Sequence, residues 1–219
     1  HAACESRSMR MQREVKRTAQ AIHPALAPVA LGLLALGAAF DARGYLSAHS
    51  DIAALMVFGH QIRLTNLITR VGWEARIASH DHRLDLAGGP VREAVDELVD
   101  ALLFVGEEPL TAPVRGTAGF AETFAAPGPF DGEGRPLRQL DLDRRLLRFP
   151  CSYTIYSPAF RALPADVRMT IFDRLSDVLS GRDSRPKYAR LSESDRRALV
   201  EILRATLPGL PAGLGRSEV

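Results

Sequence analysis

The clearest pattern of apolar positions runs from Ile52 to about Ser79. Seven residues recur there at spacings of three and four, as on one face of an α-helix: Ala53, Val57, His60, Leu64, Leu67, Val71 and Ala75. Ser50 is a favourable N-cap, which would leave Asp51 in the first turn. The pattern predicts a long helix whose apolar face turns toward the interior. Gly59 and Gly72 predict a bend or a close helix contact.

A second helical pattern covers residues 91–105, after the break Gly88-Gly89-Pro90. Proline is favoured at a first helical position, and a connection this short favours an antiparallel pair. From Gly106 to Pro136 the composition changes to Gly, Pro, Thr and acidic residues, and only Phe120 to Ala126 favours a helix. Residues 127–136 contain too many Gly and Pro residues for regular structure, so a long loop is predicted there.

The last third returns to helical patterns. Ser157-Pro158 predicts the start of a short helix, and Leu163-Pro164 that of a longer one which ends at Gly181. Ser192-x-x-Asp195 resembles a capping box for a final helix that Pro208 ends. Neither an internal repeat nor a sustained strand-like alternation is visible. The predicted fold is all-α: an irregular helical bundle over residues 45–219 with a long Gly/Pro-rich loop.

Residues 1–44 are interpreted as a separate N-terminal segment. Basic residues after Met9 precede an apolar run from Ala25 to Phe40 that ends in small residues, which is the layout of a secretory signal. The run is shorter than the roughly 20 apolar residues of a membrane-spanning helix, and Pro28 interrupts it. No stable membrane span is therefore predicted. The alternative to a signal is a buried helix in a fragment, and that interpretation is preferred.

Composition narrows the function classes. The 219-residue chain is 46% hydrophobic and 25% charged, typical of a globular protein, and its net charge of +2 gives no reason to expect nucleic acid. Cys4 and Cys151 allow one long-range disulfide, but they make neither a structural zinc site nor a Cys-x-x-Cys-His haem motif. A nucleophile elbow, a P-loop and a Rossmann glycine pattern are all missing. Because no catalytic motif is recognisable, it stays open whether the chain is an enzyme.

Three groups of residues carry candidate chemistry. His60 and Met56, one helical turn apart, could present an axial haem ligand, although a histidine on an apolar face is more often a hydrogen-bonded core residue. His49 lies at the start of the same helix, about 40 Å from the His80–His82 end, so one metal ion cannot join these ends and no metal site is predicted.

The third group, Arg63, Asn66 and Arg70, forms a polar stripe that could hold a carboxylate, a phosphate or a haem propionate. The favoured alternative is a solvated helix face on which Arg70 pairs with Glu74. Farther along, Cys151 lies among the aromatic residues of Phe149–Phe160, which are expected to pack the core. A nucleophilic role for Cys151 would need a base that the sequence nearby does not supply.

Three strings carry a family resemblance: YLSAHSDIAALMVFGHQ at residues 45–61, NLITR at 66–70, and FPCSY at 149–153 followed by IYS at 155–157. With the tail at 191–203, they resemble the C-terminal region of large, exported bacterial proteins whose upstream part is similar to c-type cytochromes and carries Cys-x-x-Cys-His. The likeness covers about residues 41–211. It implies the periplasm and a role in electron transfer. The haem motif itself is missing from this chain.

The leading hypothesis is therefore a helical accessory region of an exported cytochrome-like protein. Upstream sequence or a redox partner would supply the haem, and His60, Met56 or His49 would be a distal ligand or a pocket wall. A second hypothesis is a cofactor-free protein-interaction module with an apolar groove between the long helix and the Gly/Pro-rich loop. A third hypothesis is an enzyme whose catalytic residues converge from separate helices. A deep pocket that contains His60 beside Arg63 or an acidic group would favour it.

Overall fold

The computed structural model describes residues 33–35, 49–115 and 119–210. The described helices are α1 Ile52–His80, α2 Gly89–Leu102, α3 Phe120–Ala125, α4 Pro158–Arg161, α5 Ala165–Leu179 and α6 Glu193–Thr206, with 3-10 helices at Tyr153–Tyr156 and Pro186–Tyr188. The fold is all-α, as predicted. A minimal antiparallel ribbon precedes α1, in which β1 Leu33–Ala35 pairs with β2 His49–Asp51. Of the predicted segment 1–44, β1 is the described part, and it is a strand where the preferred interpretation of the apolar run was a buried helix. The rest of the segment and of its signal-like run lies outside the described residues.

The start of α1 differs from the sequence prediction. Asp51, not Ser50, is the N-cap: its Oδ1 accepts hydrogen bonds from the backbone N–H groups of Ala53, at 2.8 Å, and Ala54, at 3.2 Å. Ser50 belongs instead to the ribbon, opposite Leu34. Both residues are good caps, and the pairing of β2 decides which of them stands at the helix boundary. The prediction of Ser50 as the cap is therefore wrong by one residue.

The inner face of α1 is confirmed. All seven residues of the predicted stripe are buried, from Ala53 to Ala75, and Ile68 joins them. At Gly72 the prediction of a close contact also holds, because a Cβ there would come within 3.1 Å of Leu163 Cδ2, just before α5. At Gly59 a Cβ would meet nothing within 4 Å. Gly72 thus lets the chain between α4 and α5 approach the backbone of α1.

Helix α2 packs along α1 and in turn against α5. Arg70 on α1 pairs with Glu97 on α2, and these residues are almost equally distant from the connection between the helices, as in an antiparallel hairpin. The expected Arg70–Glu74 pair gives way to this one. On the other side of α2, the Arg174 guanidinium of α5 is bound to Asp96 at 2.8 Å and to Asp183 at 2.8 Å. Ion pairs thus join α2 to both neighbours.

The segment between α2 and α4 is mostly irregular, and its described residues form α3 and the 3-10 helix at Tyr153–Tyr156. Its apolar side chains nevertheless enter the core, including Leu137, Leu147 and Cys151, which are at most 1% exposed. The aromatic residues Phe149 and Phe160 are buried as predicted. No helix of the described ranges is long and apolar enough to cross a membrane.

We predict that Asp51→Ala lowers the free energy of unfolding by about 1 kcal/mol, because the first turn of α1 loses its cap. Urea denaturation followed by far-ultraviolet circular dichroism measures this change. Ser50→Ala is the matched control and should have the smaller effect. A larger loss for Ser50→Ala would show that the helix begins one residue earlier.

Candidate functional site

His60 lies at the centre of a buried polar cluster. Its Nε2 is 2.8 Å from Ser152 Oγ, its Nδ1 is 3.4 Å from Glu107 Oε1, and its ring stacks on Phe104 at 4.4 Å between centroids. A carboxylate beside Nδ1 favours the tautomer in which Nδ1–H donates to Glu107 and Nε2 accepts from the Ser152 hydroxyl. Ser152 Oγ in turn lies 2.9 Å from Thr154 Oγ1. Both ring nitrogens are therefore engaged inside the protein.

Glu107 is an acidic group beside His60, which the third hypothesis counted in favour of an enzyme, and the order Ser152–His60–Glu107 is that of a hydrolytic triad. Access decides against this function, because Ser152 has 0% of its surface exposed and His60 only 6%. A nucleophile must reach the substrate, and this hydroxyl is enclosed by the core. The cluster satisfies the hydrogen bonds of buried polar groups between α1 and the 3-10 helix at Tyr153–Tyr156. Sequence reasoning had no means of finding Ser152 and Glu107, which are 92 and 47 residues from His60.

The haem-ligand hypothesis involves His60, Met56 and His49. Coordination of iron by His60 Nε2 would have to displace the Ser152 hydroxyl. Met56 is half-buried against the core one turn earlier. The backbone of His49 lies in β2, but its side chain lies outside the described part of the chain. The described geometry is thus that of the alternative interpretation, a hydrogen-bonded core histidine.

The proposed anion site is divided between two carboxylates. Arg63 Nη1 lies 3.5 Å from Glu107 Oε1, and Arg70 pairs with Glu97 on α2. Asn66 is exposed between them. An anion would have to compete with both carboxylates, and Arg63 and Arg70 are each about half exposed, which weakens any such contact. The three residues share one edge of α1 without converging on one point.

Two clefts lie on the surface, and the larger adjoins the His60 cluster. It measures ≈ 240 Å³ and is lined by Phe104 and Glu107, the partners of His60, and by the cations Arg145, Lys187 and Arg190. These cations are already bonded, to Asp195, to Asp100 and to the carbonyl of Glu107 respectively. The second cleft, of ≈ 230 Å³, lies between Ala53 and the segment around Phe120, where an apolar groove was expected. Only Ala53 of α1 lines it, so it is not a groove along the long helix.

Cys151 is enclosed by the core, with 0% of its surface exposed. This burial raises the pKa of its thiol to about 12, because the thiolate would be desolvated. A thiol with so high a pKa is almost entirely protonated at neutral pH and is a poor nucleophile. The structure thus agrees with the packing role expected for this segment.

A feature that sequence reasoning missed is the outer face of α1. Five large apolar side chains project from it into solvent: Leu55, Phe58, Ile62, Trp73 and Ile77, each between 41% and 63% exposed. On a helical projection they fall within an arc of about 100°, opposite the buried stripe. We call these five residues the outer stripe. The signal was present in the sequence, because they too recur at helical spacings, but the inner stripe accounted for the same helix.

Comparisons with known proteins add no relative. No protein-family model, no curated protein and no solved structure matches the chain. Within the described ranges, no three His, Cys, Asp or Glu side chains are grouped so as to hold a metal ion.

We predict that His60→Ala lowers the free energy of unfolding by about 2–4 kcal/mol, because it removes the partner of the Ser152 hydroxyl and opens a cavity beside Phe104. Urea denaturation provides the measurement. His80→Ala is the control, since the His80 side chain is 89% exposed. Equal, small effects of both substitutions would contradict a structural role for His60.

We also predict that Cys151 resists alkylation by iodoacetamide in the native protein and reacts on unfolding in urea. Burial of the thiol and its raised pKa both suppress the reactive thiolate. The measurement is the mass of the peptide that contains Cys151, taken over time at neutral pH with and without urea. Rapid native labelling would show that the segment opens readily.

Proposed function

We propose that this chain is a non-catalytic helical accessory region of an exported cytochrome-like protein, and that it acts by binding a protein surface through the outer stripe of α1. The observation that carries the proposal is the stripe itself. Phe58 and Trp73 leave 61% and 63% of their surfaces in solvent, on the longest helix of the described fold. Large apolar side chains that are exposed together on one face, rather than scattered singly, mark binding sites on protein surfaces.

The candidate catalytic side chains are either buried or bound to a partner, which supports a binding role over a catalytic one. His60 is bonded at both nitrogens, Ser152 and Cys151 are enclosed, and Arg63 and Arg70 are paired with carboxylates. A catalytic group must be both accessible and activated. None of these five candidates meets both requirements. The hydrogen bonds and ion pairs of these residues stabilise the fold. We therefore infer that the chain recognises its partner through apolar contact.

The cytochrome setting comes from the resemblance of residues 45–61, 66–70 and 149–157 to the C-terminal region of exported cytochrome-like proteins. Within this proposal, haem belongs to sequence outside this chain or to a partner, and the location is the periplasm. His60 then contributes to the stability of the module, and its replacement leaves the haem spectrum unchanged. The second candidate, a cofactor-free interaction module, uses the same stripe and differs only in the absence of haem from the assembly.

We predict that a photo-crosslinking benzoylphenylalanine at position 73, introduced in the chromosomal gene, forms adducts that stain for covalent haem. Trp73 is the most exposed residue of the stripe, so a bound surface must cover it. Position 169 is the matched control, because Met169 is an exposed apolar residue, at 41%, on a different helix.

Haem-positive adducts at position 73 but not at position 169 are the expected result. Adducts without haem would favour the cofactor-free module. Equal crosslinking at both positions would contradict a docking role for the stripe.

A further inference from the structure

The partner of the outer stripe can be derived from the order of its residues. On the exposed face of α1, seven residues follow one another at helical spacings, with two polar residues between the apolar ends: Leu55, Phe58, Ile62, Asn66, Thr69, Trp73 and Ile77. The exposed side chains of Arg76 and His80 fall within the same arc. The spacings between the seven residues are three, four, four, three, four and four residues, an eleven-residue repeat. A repeat of this length keeps a nearly straight stripe on an α-helix, so two such faces can lie side by side over several turns.

We propose, as a step that rests on the proposed function, that the outer stripe binds a second copy of this chain and forms an antiparallel homodimer through α1. The twofold axis passes between residues 67 and 68 of the two copies. Phe58 then faces Ile77 of the second copy, Ile62 faces Trp73, and Asn66 faces Thr69. Four of the five apolar residues thus meet apolar ones and the two central polar residues meet each other, which is the self-complementarity that a twofold interface requires. Leu55 lies opposite His80 at the end of the helix.

The sizes of the side chains favour the antiparallel direction. Each of the apolar layers combines an aromatic residue with an isoleucine: Phe58 with Ile77 and Trp73 with Ile62. The distance between the two helices therefore stays even along the interface. A parallel, in-register pair would stack Phe58 on Phe58, Ile62 on Ile62 and Trp73 on Trp73. These layers differ in width. The two helix axes could therefore not keep an even separation of roughly 8–10 Å along the whole interface.

The charges on the edge of the stripe permit this arrangement. Arg63 of one copy comes near Arg70 of the other, but each arginine already has a carboxylate, Glu107 and Glu97 respectively. The four residues give no net charge at this edge. Arg76 and His80, which lie within the arc of the stripe, fall opposite Gly59 and Leu55 in this register, so the apolar layers contain no pair of like charges.

The area is sufficient for a specific contact. One aromatic side chain carries about 150–250 Å², so the five residues expose on the order of 500 Å² of largely apolar surface. Two copies together would bury about 1,000 Å² or more, which is where specific interfaces begin. A dimer of this size is expected to be of moderate affinity and to dissociate on dilution.

The test is sedimentation equilibrium of the 219-residue chain. The expected mass at high micromolar concentration is twice 23.9 kDa. Ile62→Glu and Trp73→Lys should each weaken the association at least tenfold, whereas Met169→Glu, at an exposed apolar position on α5, should leave it unchanged. A monomeric chain, or a dimer that survives Ile62→Glu, overturns the proposal.

A mixing experiment tests the register and excludes misfolding as the cause of dissociation. In an antiparallel pair, position 62 of each copy faces position 73 of the other. In the mixed dimer, one of these two contacts joins the new glutamate to the new lysine, and the other joins the natural Trp73 and Ile62. The mixture of the two variants should therefore form a heterodimer although each alone is monomeric. Ile62→Glu mixed with Ile77→Lys is the control, because these positions do not face each other. Equal association in both mixtures overturns the register.

The results also separate this inference from the proposed function. A chain that is monomeric on its own but gives haem-positive adducts at position 73 in cells leaves the docking role intact and overturns the homodimer. The occupant would then be a different protein or another part of the same polypeptide. A dimer that forms through the stripe while no adduct carries haem supports the homodimer and overturns the cytochrome setting.

Discussion

The fold depends on the burial of one face of α1 against elements that are distant in sequence. The apolar residues of this face contact α2, the 3-10 helix at Tyr153–Tyr156 and α4. His60 is the polar member of the face, and its bond to Ser152 joins positions 92 residues apart. A buried imidazole costs stability unless both nitrogens find partners, so the position of the segment around Ser152 is tied to the rotation of α1. The apolar contacts hold the helix, and this bond specifies its register.

The same packing also explains why the reactive side chains near His60 are inaccessible to a substrate. Ser152, His60 and Glu107 are in the order of a triad, yet the packing that aligns them excludes substrate from the hydroxyl. Cys151, adjacent to Ser152, is enclosed by the same packing. The stability of the core and the accessibility of these groups are therefore opposed. A protein of this construction can act through its surface without disturbing its core.

The sequence predicted the helices well because their caps and apolar periodicity are local signals. The inner stripe of α1 was predicted residue by residue, and Ser157 and Ser192 cap the helices expected to follow them. The errors came from tertiary choices. Ser50 and Asp51 are equally good caps until β2 pairs with β1, and Arg70 can reach either Glu74 or Glu97 until α2 is in place.

The candidate site was harder to predict for the same reason. His60 was identified from its place on the stripe, and the core interpretation was available from the sequence, but its partners Ser152 and Glu107 come from separate segments. The outer stripe failed to stand out for a different reason. A helix with apolar residues on opposite faces has a weak overall asymmetry, so the periodicity that reveals an amphipathic helix partly cancels. The exposure of Phe58 and Trp73 became evident only when α2 and α4 were seen to cover the other side.

The polar centre of the outer face bears on how such a helix avoids indiscriminate association. If all seven positions along this face were apolar, the face could pair with another in several registers and in both directions. Asn66 and Thr69 interrupt the apolar surface at its middle. In a paired state, a polar residue within an apolar seam prefers a polar neighbour, which penalises shifted registers at some cost in affinity. The face is thus better suited to one defined partner geometry than to general adhesion, and its moderate area makes that association reversible.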